Sequence, residues 1–489
     1  MNIKKIPELF FENLGIRQTV FKNTFWLVGT QITISLMNVV LLVFVARILG
    51  ATEYGKFAYA MAFVSIIACL IDLGVSSITT RELAKESEKE KEFSIFFSLK
   101  ILLSACFFVI TFIISFFVTD EPFIRVIIWI LSGFVCMESF FQIIYAFFRS
   151  RQKMEYEAII HIGQILTVVI LGLFAIFIIP SAQALSYGYL IGSAIVLVIV
   201  LFYTNFFVIP LRWSFDKNNW INILKMSWPL TFDFTASWIY LNLDSFMIGL
   251  FGKPNQVGLF SVVAKIIAVV IVIAGLISRS FYPALSKFLK ESKEKFQLIW
   301  DYNMKIMIAL ALPLIVGGII FSSKVIHLFY GLENYWPSVL VFQILIFLAG
   351  ITFLSYPCGM VLAVYGHQKN NFIIISIGFI INIILNLILF FYFGIYGVAA
   401  ATVITSTIVL LITIIFIHYL TPISPINMAL FRVFLASVFS SILTFGLMIQ
   451  PPIYNLSIIF LVPLGVVIYS VVLFLTDFAT RKFLKTSIF

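Results

Sequence analysis

Ionisable side chains stand inside stretches of this sequence that are otherwise apolar. The run WIYLNLDSFMIGL (238–250) holds Asp244 at its centre. A bare charge at that depth in hydrocarbon costs from about 3 to well over 10 kcal/mol. Asp233, Ser237, Tyr240 and Asp244 are spaced i, i+4, i+7, i+11. On an α-helix eleven residues fall within about 20° of three full turns, so the four share one stripe. Asp72 with Ser76 and Thr79, Glu138 with Gln142 and Tyr145, and Gln31 with Ser35 and Asn38 repeat the pattern. His161 and Gln164 add a polar pair, and Asn382 and Asn386 another. Lys265 is the one Lys or Arg that this reading sets deep in an apolar run, where it is the candidate counter-charge to the carboxylates. Such stripes face water or a polar partner, not lipid. The amides read first as packing hydrogen bonds. The acids Asp72, Glu138, Asp233 and Asp244 read as lining a path or as sites of H+ or Na+ coupling.

Other chemistry is poorly represented. There is no GxxxxGK[ST] phosphate loop and no HExxH, and the four His are scattered (His161, His327, His367, His418). The four Cys (Cys69, Cys106, Cys136, Cys358) lie in apolar segments without paired spacing. Neither a disulfide framework nor a metal site follows from that pattern. No cofactor and no bond-making activity is expected. Arg81, Arg149, Arg279 and Lys305 fall at helix ends on one side, and Arg47 on the other. They either anchor the helices at lipid headgroups or form a basic entrance for an anionic, phosphate-bearing substrate, which the planar Arg donor fork suits.

The elements that carry these residues are membrane helices. Of 489 residues 62% are hydrophobic and 11% charged, with a mean hydropathy of +1.10. A chain so poor in charge cannot cover itself with polar groups in water. Its charge of +10 falls in short clusters between apolar runs, so nucleic acid is not an expected partner. Apolar runs of helical length predict helices near 25–46, 57–79, 95–118, 123–148, 158–179 and 184–208. The series continues with 224–250, 257–280, 300–322, 336–364, 371–393 and 396–418, then 428–449 and 454–477. Lys and Arg crowd 81–93, 149–157, 211–220, 286–296 and 481–485, all on the side of the N-terminus. The positive-inside rule then places both termini in the cytoplasm of a cell-membrane protein. The start MNIKKIPELFFENLG lacks the short apolar core and small-residue site of a signal peptide.

The halves resemble each other. ARILGATEYGKFAYA after the first helix matches IGLFGKPNQVGLFSV after the seventh. LAKESEKEKEF (83–93) matches LSKFLKESKEKF (285–296), and FRSRQKMEYEAII (148–160) matches VYGHQKNNFIIIS (364–376). The expected fold is therefore an all-α integral membrane protein of about fourteen transmembrane helices. It has two pseudo-symmetric six-helix bundles, two C-terminal helices and a central hydrophilic cavity. The expected segments are an interfacial stretch 1–22, a first lobe 23–208, a cytoplasmic linker 209–223, a second lobe 224–420, a final pair 428–477 and a tail 478–489.

Four stretches carry a family likeness: VARILGATEYGKFAYAMAFVSIIACLIDLGVSSITTRELAK (45–85), LNLDSFMIGLFGKPNQVGLFSVVAKI (241–266), YGLENYWPSVLVFQIL (330–345) and AVYGHQKNNFIIISIGFIINIILNLILFFYFGIYGVAAATVIT (363–405). They resemble the polysaccharide transporter, or O-antigen flippase, family of the multidrug/oligosaccharidyl-lipid/polysaccharide exporter superfamily. The resemblance implies a cargo of lipid-linked oligosaccharide, moved from the inner to the outer leaflet by alternating access. It also implies membrane lipids and other polysaccharide biosynthesis proteins as partners. By helix position, Lys265, with Arg47, would hold the diphosphate, and Asp72, Asp233 and Asp244 match positions where the family often has acids. Lipid II flippases of this superfamily carry a basic residue early in the first helix. This chain has none there before Arg47, which argues against a peptidoglycan precursor. A multidrug antiporter of the same fold is the first alternative, since four acids outnumber the central bases. A membrane glycosyltransferase or polymerase is another, though the outer loops are short, and a scaffold for the glycan machinery is a third. Protons, sodium and the membrane potential all stay open as driving forces.

Overall fold

The computed structural model describes residues 11–85, 90–212, 214–289 and 291–476, without the side chains of 16, 17, 90, 91, 228–238, 240, 241 and 452. The expected tail and most of the expected N-terminal segment lie outside these residues. The regular secondary structure of the described residues is all helical, with no strand. In chain order the helices are α1 Ile16–Ile67, α2 Cys69–Asp72, α3 Val75–Lys85, α4 Glu90–Val118, α5 Pro122–Ser150, α6 Met154–Ile178, α7 Ala182–Tyr203 and α8 Lys217–Phe251. Then come α9 Pro254–Phe288, α10 Lys293–Ile320, α11 Ser322–Tyr330, α12 Ser338–Val364, α13 Gln368–Phe393, α14 Ile395–Leu420, α15 Met428–Met448, α16 Pro451–Tyr454 and α17 Ile458–Thr476. The chain divides into two compact units, Met1–Gly258 and Leu259–Phe489.

Among the described residues twelve stretches are long and apolar enough to cross a membrane, against the fourteen expected. The first of them, Gln18–Lys85, is 68 residues long. At 1.5 Å per residue it is far longer than one crossing needs. α8, where the seventh helix is expected, has its central side chains outside the described residues and is not among the twelve. Apolar side chains face outward along the helices: Phe117 is 84% exposed and Tyr392 78%. On a water-soluble protein so much exposed apolar surface would be a liability; against lipid tails it is the fitting solvent.

The structure departs from the expected map at two points in the first unit. The stretch ARILGATEYGKF, expected as a loop, continues as helix except at Gly50, whose φ is 69°. Glycine alone tolerates that left-handed backbone without penalty, so α1 is two helical arms joined at one residue. The expected helix 57–79 is broken instead. It stops at Ile67, resumes for four residues as α2, and turns again at Leu73 (φ 41°) and Gly74 (φ 72°) before α3. Breaks of this kind in a spanning segment survive only where protein or water takes up the freed backbone groups. In the second unit, the expected outer loop 322–336 contains α11. It is tied down by the Tyr330 hydroxyl donating to the Val262 carbonyl (3.2 Å) and by Ser338 donating to the Leu259 carbonyl (2.8 Å).

Small residues set how closely helices approach. α6 and α7 form a hairpin in which a Cβ built on Gly188 would lie 2.6 Å from the Cα of Gly172. One built on Gly192 would lie 2.9 Å from the Cα of Val168. Spacing of four residues between glycines on one face is the pattern that lets membrane helices touch backbone to backbone. The turn before α7 is capped twice. Ser181 accepts from the Ala184 N–H (3.1 Å), and Glu53, far away in sequence, accepts from the Ala182 N–H (3.0 Å). Gly188→Leu is expected to overpack the hairpin and destabilise the protein by about 1–3 kcal/mol. A lowered unfolding temperature in detergent would show it; an unchanged one would mean that the two helices separate freely.

Candidate functional site

The central cluster of the first unit forms around the break in the second expected helix. Asp72 ends α2, and Ser76 lies in the first turn of α3. Lys100, ten residues into α4, reaches across. Its Nζ stands 2.5 Å from Asp72 Oδ1, which also accepts from Ser76 Oγ at 2.5 Å. Lys100 Nζ is 3.5 Å from Ser76 Oγ. The Lys100 side chain is wholly buried, whereas that of Asp72 is 43% exposed. The ammonium is thus enclosed by protein, and the carboxylate shields it from an open side. Sequence reasoning missed Lys100 and set Lys265 alone. The signal was present, since an ammonium inside the apolar run 95–118 needs a partner as surely as a carboxylate does.

Two further ion pairs tie helices together, one joining the start of α1 to the start of α6 and the other joining α5 to α6. Lys22 Nζ meets Glu155 Oε2 at 2.9 Å with side chains 0% and 3% exposed, and it also lies 3.4 Å from the Gln152 carbonyl. Arg149 donates through Nε (2.8 Å) and Nη2 to the two oxygens of Glu157. Removing one partner of a sealed pair costs about 3–5 kcal/mol, so Lys22–Glu155 is a structural joint, whereas Arg149 keeps 38% of its side chain exposed. Arg149, expected at a basic entrance, is therefore engaged by a carboxylate. Arg81 is likewise engaged, with its Nη2 3.0 Å from Glu82.

Glu138 is held differently. Its Oε1 accepts from the amide of Gln164 in α6. Gln164 Nε2 also lies 3.3 Å from Ser193 Oγ in α7, and Gln164 Oε1 accepts from the Tyr145 hydroxyl at 3.4 Å. The rings of Tyr145 and His161 are 5.5 Å apart. Gln164, Ser193 and Tyr145 are buried, while Glu138, Gln142 and His161 are half-buried. The pair His161 and Gln164 therefore joins the Glu138 stripe, a link that spacing within single helices cannot reveal.

The other expected residues are spread more widely. Gln31, Asn38 and Arg47 are exposed and Ser35 half-buried on α1; Arg47 has a partner. Asp244 on α8 is half-buried and also has a partner. Asp233, Ser237 and Tyr240 lie on α8 outside the described side chains. In the second unit, Lys265 is exposed on α9, and among the described residues it has no hydrogen-bond or ion-pair partner. Ala268, Val269, Val272, Leu276 and Arg279 are exposed at helical spacing from it. Lys265 and Arg279 thus lie on one stripe, about 21 Å apart along the axis. Lys305, half-buried on α10, sets its Nζ 5.7 Å from the Tyr302 ring centroid. Asn386 donates to Asn382 at 3.1 Å inside buried packing. An apolar cleft of about 320 Å³, lined by Ile319, Gln343, Phe347, Val403 and Ile404, contains none of the expected site residues.

Helices with apolar outer faces, broken and kinked spans, and charges matched inside the hydrocarbon region define a multi-pass helical membrane protein. A family model described as "Polysaccharide biosynthesis protein" matches residues 20–289, more than half the chain. The chain belongs to that family. A probable flippase, AglR, of Haloferax volcanii is 26% identical over 244 residues, 47% of this chain and 48% of the relative. The chain thus spans about half the length of that relative. The probable low-salt glycan biosynthesis flippase Agl15 of the same organism is 22% identical over 398 residues, 77% of this chain and 78% of the relative. Among solved structures, the lipid II flippase MurJ in an inward closed conformation aligns with a TM-score of 0.73 at 16% identity, covering 92% of this chain and 98% of that one. A MATE family multidrug transporter in an inward-facing conformation aligns with a TM-score of 0.64 at 14% identity, covering 79% and 94%. The fold is that of these transporters. The named relatives are flippases and transporters, not enzymes.

Lys100→Met leaves Asp72 without its cation, and the expected loss is on the order of 1–3 kcal/mol of stability. The loss is smaller than for a sealed pair because Asp72 stays partly wet. The double variant Lys100→Met/Asp72→Asn recovers most of it in a thermal-unfolding cycle. Additive losses would mean that the two side chains do not interact.

Proposed function

We propose that this protein is a flippase that moves a polyprenyl-diphosphate-linked oligosaccharide, the repeat unit of a surface polysaccharide, from the inner to the outer leaflet of the cell membrane by alternating access. Both termini face the cytoplasm in this reading. The sugar-diphosphate headgroup travels through a wet path while the polyprenyl tail stays in lipid, and no bond is made or broken. The observation that carries the reading is Lys265. It is an exposed residue on an apolar spanning helix, without a carboxylate partner among the described residues and on one stripe with Arg279. Such a cation is stable only against water or an anion, and a diphosphate is the anion that a glycan carrier brings. Arg149 and Arg81, already bound to carboxylates, serve this role less well. Family membership and the named flippase relatives support the same cargo class.

Cells lacking the protein are expected to accumulate lipid-linked sugar precursor in the inner leaflet. Normal surface glycan with drug hypersensitivity would instead favour a multidrug antiporter. Lys265→Ala should insert normally and lose transport on the order of tenfold or more, the size of one charge-assisted contact of about 1.5–3 kcal/mol. Full complementation by that variant would remove Lys265 from the site.

A further inference from the structure

We infer that Glu138 is the proton-binding site through which this protein couples to H+, an inference that rests on the transporter reading above. The argument is one of charge matching. Within the spans of the first unit, Glu53 pairs with Lys56 (2.6 Å), Asp72 with Lys100 (2.5 Å), Glu82 with Lys85 (2.8 Å), Glu155 with Lys22 (2.9 Å) and Glu157 with Arg149. Glu138, midway along α5, has no cation within ion-pair distance among the described residues. Its partner is a neutral amide. Ionised, it is an uncompensated charge inside a spanning helix; protonated, it is neutral.

The surroundings suit proton exchange. Glu138 is half-buried as a residue, and its carboxyl accepts from the Gln164 amide. Gln164 links it to the Tyr145 hydroxyl and to Ser193, and Tyr145 lies against His161. These are groups that donate and accept in turn. On the helices packed against α5, the cations Lys22, Lys56, Arg81, Lys85 and Lys100 are all held by carboxylates, as is Arg149 on α5 itself. Arg47 on α1 has a partner of its own. His161 of α6, Tyr59 of α1 and Tyr187 and Tyr189 of α7 are the remaining titratable groups of note. None of them supplies Glu138 with a fixed positive charge. Asp72 is the contrasting case. Protonating it would strip buried Lys100 of its counter-charge, so the pair resists the change that a proton carrier must undergo.

The test uses full-length protein in lipid nanodiscs and pH-difference infrared spectroscopy. The expected result is a titrating carboxylic-acid C=O band that is absent from Glu138→Gln and retained in Asp72→Asn. Gln164→Leu keeps the carboxyl but removes its amide donor, and there the band is expected at higher frequency. Exchanging potassium for sodium should leave the titration unchanged. A band that survives in Glu138→Gln, is unshifted in Gln164→Leu, or moves with sodium overturns the proposal. Proton binding is read here without any cargo, so this result and the precursor-accumulation assay fail independently.

Discussion

Hydrocarbon does not solvate charge, and that constraint organises this protein. Each ionic side chain inside a spanning helix must find a counter-charge, a proton or water, and each answer leaves a different trace. Lys100 is wholly enclosed with Asp72 against it. Lys22 and Glu155 are sealed together where α1 meets the α5–α6 turn. Glu138 takes a neutral amide in place of a cation. Lys265 stays exposed. The same constraint applies to the backbone. The break at Leu73 and Gly74 frees polar groups within a span, and the Asp72–Ser76–Lys100 cluster sits at that break.

These answers divide the charged residues by role. Sealed pairs hold helices in register, because separating them is costly. Groups left open or neutral are the ones a cargo or an ion can address. Arg149 and Arg81 are held by carboxylates, whereas Lys265 and Arg279 are exposed and Glu138 meets a neutral amide. Sequence alone would rank all of them together, as polar residues in apolar surroundings.

Much of the fold was legible because lipid imposes a simple rule. A span is about 20 apolar residues, and runs of that kind are visible without any partner. The legibility fails where helices do not obey the rule of one run per crossing. ARILGATEYGKF reads as a loop because it is polar, yet only Gly50 leaves the helix. The run 57–79 reads as one helix because it is apolar, yet Leu73 and Gly74 break it. The candidate residues were legible by type: Asp72, Glu138 and Lys265 stand out against their neighbours. Lys100 did not stand out, since it lies near a cluster of loop lysines and its carboxylate partner is 28 residues away.

The sequence by itself determined that this chain is a multi-pass helical membrane protein, because composition and the length of apolar runs depend on no long-range contact. It also determined which residues are too costly to leave bare in lipid. Only the tertiary structure decided who compensates whom. Asp72 finds Lys100, Glu155 finds Lys22 and Glu138 finds Gln164 across separate helices. Pairing of that kind is a property of packing, because helical periodicity fixes the face on which a residue lies and leaves its neighbour to the way the helices assemble.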